Sequence, residues 1–214
     1  MILEGLVTSL NVTGEINLAP MGPIVDASMT RLTLRPFQSS TTFRNLQQRP
    51  YGVFHVVDDV LLIAKAALHR LETLPETFPA QRIEGRVLKD CCRWYEFEIT
   101  HIDTTTERSC LEATVVHSGR IRDLFGLHRA RHAVLEATIL ATRLHLLSEH
   151  DVRTQLAALA IPVEKTAGSR EREAFDLVCD VVEDWYRTHN SAVESPDEKG
   201  QLPDAEDQQE SSAL

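Results

Sequence analysis

Cysteine is scarce in this sequence, and none of the four present (Cys91, Cys92, Cys110 and Cys179) is spaced C-x-x-C. That argues against a zinc knuckle and against a dithiol redox motif, and a chain of this length needs no disulfide framework. Long apolar runs are missing too, so no membrane span is expected. The opening Met1-Ile2-Leu3-Glu4-Gly5 has neither a basic n-region nor an apolar h-region, and no signal peptide is expected there. Cationic excess is absent: the formal net charge is −10. A nucleic-acid phosphate backbone calls for a dense basic footprint, so nucleic acid is not an expected partner. No glycine-rich phosphate loop and no Ser-His-Asp or Cys-His arrangement can be discerned, and catalytic residues stay unassigned.

What remains is an ordinary globular composition, with 43% hydrophobic and 25% charged residues, in a chain of 214. The acidity is uneven. From Ser191 onward there are seven acids and a single base, Lys199, and that tail (191–214) reads as disordered. The body divides into a β-rich part, 1–123, and a helix-forming part, 124–190.

In the first part, strands are expected at Leu3 to Leu10, Glu15 to Ala19, Met29 to Arg35, Gly52 to Val57, Gln81 to Leu88, Arg93 to Ile102 and Ser109 to His117, with a turn-rich stretch from Pro75 to Pro79. In Arg93 to Ile102, Tyr95, Phe97 and Ile99 alternate with Glu96, Glu98 and Thr100, the pattern of a strand with one face buried and one exposed. Asn11-Val12-Thr13-Gly14 makes a hairpin turn, and Pro20 is expected to stop the second strand. A helix capped by Asp58 or Asp59 follows the fourth strand, from Val60 to Leu71. Many short strands with few inserted helices favour a closed barrel: mainly β with α, helices last. In the second part, helices are expected at His128 to Leu147, Asp151 to Leu159 (ending before Pro162) and Glu171 to Thr188. Phe175, Val178, Val182 and Trp185 share a face of the last one and need a partner, either the barrel or another subunit.

The most unusual local feature is Ser39-Ser40-Thr41-Thr42, four short hydroxyls entering a helix, flanked by Arg35 and Arg44. A helix N-terminus presents unpaired donors to a phosphate, and the arginines add charge-assisted bonds. Ala19-Pro20-Met21-Gly22-Pro23 reads as a stiff strand exit. His55, alone on an apolar strand, reads as a paired structural residue. His128 and His132 share a helical face, but Arg129 stands where a zinc-protease motif has Glu, and a metal is not expected.

Three segments, Leu3–Thr8, Asn17–Pro23 and Leu34–Leu46, together with Gly52–Asp59, resemble an uncharacterised, mainly archaeal family of FMN-binding split-barrel proteins, similar to flavin reductases. The reductase phosphate loop has the pattern Lys-Asp-Thr-x-x-Asn; Ser40-Thr41-Thr42-Phe43-Arg44-Asn45 is similar at Thr42 and Asn45. Ser40 and Thr41 replace the Lys-Asp pair, which moves the cationic role to Arg35 or Arg44. The resemblance implies FMN held by Arg35, Ser39, Ser40, Thr41, Thr42, Arg44 and Asn45, with backbone atoms of Ala19, Met21 and Gly22 at the ring edge. It implies a homodimer and a flavin reductase-like oxidoreductase using a nicotinamide or other organic electron partner, while the cysteine usage and the opening residues lead one to expect a cytoplasmic protein. Alternatives on the same fold are a non-enzymatic flavin-binding module, a deazaflavin protein, or a pterin-linked one-carbon pathway protein.

Overall fold

The computed structural model describes residues 1–191; the acidic tail expected at 191–214 falls outside them from position 192. Nine strands and five α-helices follow the order β1 (Gly5–Leu10), β2 (Ile16–Met21), β3 (Ile24–Val25), β4 (Arg31–Leu34), α1 (Thr41–Gln48), β5 (Tyr51–Val56), α2 (Val60–Ala67), β6 (Thr77–Pro79), β7 (Arg86–Leu88), β8 (Arg93–Asp103), β9 (Cys110–Arg120), α3 (Arg129–Ala141), α4 (Glu149–Thr166) and α5 (Ser169–Ser191).

Seven strands form one antiparallel sheet in the order β2-β1-β5-β8-β9-β4-β3. It curls until β3 meets the segment leading into β1, where Ile2 bridges Ile24 and the Leu3 N–H donates to the Pro23 carbonyl. Val7, Leu32, Leu34, Phe54, Phe97 and Leu111 fill the interior, and Phe43 and Leu46 of α1 plug it. The opposite face is covered over β1, β5 and β8, where Leu6, Val53 and Trp94 pack against α2 and the β6–β7 ribbon. A third core lies among α2, α3, α4 and α5.

Several expected boundaries move, each for a physical reason. β2 runs through Pro20 to Met21 because it is an edge strand, where a missing N–H breaks no ladder bond. Met29 is not in a strand: it sits at φ 55° in a turn held by Asp26, whose carboxylate accepts from the N–H groups of Thr30 and Arg31. Thr77-Phe78-Pro79, expected as a turn, pairs with β7. On β8 the expected exposed face is half buried: Glu96 is 0% exposed because the β6–β7 loop covers it. Its carboxylate accepts from the N–H groups of Gln81 (2.8 Å) and Arg82 (2.7 Å) and from the Trp94 indole (3.2 Å).

α4 does not stop before Pro162 but carries it inside. A mid-helix proline costs about 3 kcal/mol; Val152 and Val163, both buried in one core from either side of it, offset that cost. On α5, Phe175, Val178 and Val182 are buried as expected, with Tyr186 completing the stripe and Trp185 only half-buried. The partner surface is this chain's own helices.

Candidate functional site

A cleft of about 490 Å³ opens between the barrel and the helical layer, within the ~300–1,000 Å³ typical of small-molecule sites. Its barrel wall is made by β2, the segment from Arg35 to Phe37 and the start of α1; its other wall is made by α2 and α3.

The α1 end is built for an anion. Ser40 caps the helix, its Oγ accepting from the Phe43 N–H at 3.2 Å. Thr42 is buried, its Oγ1 accepting from Asn17 Nδ2 at 3.0 Å, which leaves the hydroxyl proton free to donate. The N–H groups of Thr41 and Thr42 lie in the first helical turn and bond to no group among the described residues. Arg35 lines the cleft with its Nε buried and without a hydrogen-bond partner. Beside it, Arg108 donates through Nε to the Arg35 carbonyl (2.9 Å) and lies over the Phe37 ring at 5.4 Å, leaving its terminal nitrogens uncommitted among the described residues. Two guanidiniums and a helix N-terminus thus share one end of the cleft.

The β2 end differs. Ala19, Met21 and Gly22 line it, and the outer edge of β2 is paired by no second strand among the described residues. The Glu4 carboxylate rests against Gly22, where an added Cβ would fall 2.6 Å from Glu4 Oε1.

Of the ten residues expected to bind a cofactor, Ala19, Met21, Gly22, Arg35, Ser40 and Thr42 line this one cleft. Ser39, Thr41, Arg44 and Asn45 do not line it. Arg44 is turned onto its own loop, donating to the Ser39 carbonyl (2.6 Å) and Thr41 Oγ1 (3.1 Å). Asn45 is buried and donates to Ser9 Oγ at 3.2 Å, fastening α1 to β1.

Reading the sequence misses Arg108, Phe37 and the α3 wall. Arg108 lies 73 positions from Arg35 and arrives only through the β8–β9 hairpin. The tip of that hairpin is clasped to the loop before α1: Gln38 Nε2 donates to the carbonyls of Thr104 and Thr106, and Ser109 Oγ to that of Pro36. No local pattern announces such a meeting.

His55 lies outside the cleft lining. Its Nε2 accepts from the Leu88 N–H (3.1 Å), so Nδ1 carries the proton and donates to the Leu6 carbonyl (3.2 Å). Burial lowers its pKa to about 4. His128 caps α3, its Nδ1 accepting from the Arg131 N–H.

A second ionic cluster joins the two layers. Asp58 accepts from Arg122 (2.5 Å) and Arg131 (3.1 Å), and Arg131 also reaches Glu171 (3.0 Å). Arg122 continues to Asp90, and Arg170 pairs with Asp59. Hydrogen bonding from Arg122 holds the Asp58 carboxyl below the usual carboxylate range. Nearby, Arg120 pairs with Asp123 at 2.8 Å.

Two family models match: one described as protein of unknown function (DUF447) N-terminal domain, over residues 3–122, and its DUF447 companion over 128–180. Among solved structures, an FMN-bound DUF447-family protein from Methanosarcina mazei is 24% identical, with a TM-score of 0.71 over 84% of this chain and 94% of that one. That likeness shows the fold, a split barrel followed by helices. A flavoredoxin from Methanosarcina acetivorans is 15% identical (TM-score 0.48; 56% of this chain, 69% of that one). An FMN-binding protein from Thermus thermophilus is 12% identical (TM-score 0.49; 59% and 77%). A comparison with curated protein sequences gave no match.

Proposed function

This chain belongs to the DUF447 family, and from that premise we propose that it is an FMN-binding oxidoreductase with its flavin in the cleft between barrel and helices. The observation that carries the reading is Arg35, which lines a ligand-sized cleft, enters no ion pair and leaves its buried Nε unbonded among the described residues. A guanidinium beside Arg108 and the α1 N-terminus matches a phosphate monoester, which accepts charge-assisted bonds from such a set. The relative from Methanosarcina mazei, described as FMN-bound, supports the choice of FMN.

In this reading Arg35, Arg108, Ser40, Thr42 and the first N–H groups of α1 hold the phosphate. Ala19, Met21 and Gly22 offer backbone donors and acceptors to the ring edge. The Ser39 carbonyl and the Thr41 hydroxyl anchor the Arg44 side chain, and Asn45 fixes the helix, so these side chains shape the loop rather than touch the ligand. When bound, the flavin supplies one- and two-electron transfer; the electron partner is a nicotinamide or another organic molecule. Residues 1–123 form the flavin-binding domain and 124–190 a helical subdomain covering it. A homodimer belongs to the same reading, checked by mass in solution, and four free cysteines suit a reducing cytoplasm.

Titration of FMN against the purified full chain, followed by quenching of flavin fluorescence, tests the assignment. Arg35→Ala is expected to weaken FMN about 10- to 100-fold, the worth of one lost charge-assisted bond. Arg44→Ala, which loses only local loop bonds, changes it by less than about threefold. Unchanged affinity in Arg35→Ala, or no quenching with the native chain, refutes it.

A further inference from the structure

We propose that the helical wall of the cleft is a second binding site, for an organic carboxylate with an apolar body, headed by Arg143. This rests on the flavin reading above, which leaves that wall unused.

The wall combines Ile63 and Ala67 of α2 with Leu135 and Ile139 of α3. Thr138 and Thr142 also face the cleft, but their hydroxyls donate back into the helix, to the carbonyls of Val134 (2.8 Å) and Ile139 (2.7 Å). With those protons committed, α3 presents methyl groups and aliphatic side chains to the cleft. Arg143 lines the same cleft just past the end of α3 and is exposed. It enters no ion pair among the described residues; Arg129 and Arg172 of the helical layer enter none either, but of these three only Arg143 lines the cleft.

An uncommitted guanidinium at the end of an apolar wall matches a carboxylate head on a hydrocarbon or aromatic body, since the planar fork meets both carboxylate oxygens at once. A single guanidinium suits a single charge; the dianionic phosphate has the Arg35 and Arg108 end. Glu4, the one acid among the lining residues, stands at the β2 end against Gly22 and repels a carboxylate from there. Charge therefore orients the second ligand along the cleft.

The test uses the FMN-loaded full chain and titrates benzoate, with neutral benzamide and dianionic phenyl phosphate as comparison arms. Binding is read from perturbation of the flavin visible spectrum and by calorimetry. Benzoate is expected to bind about 10- to 100-fold more tightly than benzamide, a charge-assisted bond's worth. Arg143→Met is expected to abolish that preference while leaving FMN affinity unchanged, and Arg143→Lys to restore part of it. Equal binding of benzamide, tighter binding of phenyl phosphate, or benzoate binding indifferent to Arg143→Met overturns the proposal. So does a loss of FMN affinity in Arg143→Met, which would place Arg143 at the phosphate. If the native chain takes up no FMN, the flavin reading fails by itself. Calorimetry of benzoate against the unloaded chain and Arg143→Met then decides the carboxylate site: dependence on Arg143 upholds it, and indifference overturns it.

Discussion

A histidine with both ring nitrogens occupied has no chemistry left to offer, and His55 is in that position. Its isolation on an apolar strand already pointed to a structural role; its two partners, the backbone groups of Leu6 and Leu88, were beyond local pattern. The neutral ring carries a stability consequence. In the unfolded chain a histidine binds its proton near pH 6.5, in the folded chain only near 4. Between those values the unfolded state holds more protons, so the contribution is full above about pH 6.5, falls as the pH drops, and is gone by about pH 4, for a total near 3 kcal/mol. Denaturant unfolding of His55→Gln at pH 7, 5.5 and 4.5 should show a flatter pH dependence than the native chain; parallel curves would refute the assignment. At the cleft, Arg35 was legible because it flanks a run of hydroxyls, and Arg44 was legible for the same reason. The structure separates them: Arg35 lines the cleft, while Arg44 ties up its own loop.

At the scale of elements, alternation in β8 revealed the strand but misassigned one face. Period-two reasoning treats Glu96 as solvent-facing, yet a ribbon from residues 77 to 88 lies over it, and the ribbon's own loop supplies the N–H groups that make a buried carboxylate tolerable. The same face explains Gly119 on β9. A Cβ there would come within 2.0 Å of the Trp94 ring, whose indole donates to Glu96. Gly119→Ala must push the indole off that bond, and overpacking of this kind costs about 1–3 kcal/mol. The expected readout is a lower denaturant midpoint with an unchanged slope; a midpoint equal to the native one would show that the indole moves freely. Pro162 teaches the opposite lesson. Proline is a dependable stop signal locally, and only the burial of Val152 and Val163 in one distant core, invisible to a window of ten residues, carries α4 through it.

For the whole molecule, the decisive relation is between barrel and helices, because the cleft belongs to both. Asp58 sits at the turn from β5 into α2 and binds arginines from the end of the barrel and the start of α3. Asp58→Asn removes the shared anion and leaves two guanidiniums facing each other, with an expected cost of about 1–3 kcal/mol. It should also weaken FMN, by loosening the wall opposite the flavin, although Asp58 lies outside that cleft. Thermal unfolding and FMN titration of the same variant check both; lost stability with unchanged FMN affinity would uncouple the layers from the site. The order of residues along the chain adds a temporal dimension. Every group assigned to the phosphate and ring edge, from Ala19 to Arg108, precedes the connector at residues 121–128, and every α3 group assigned to the carboxylate follows it. During synthesis the cofactor end is therefore complete before the α3 half of the wall emerges from the ribosome. In divergence, substitutions along α3 can retune which organic acid is accepted while the inherited flavin cradle stays as it is.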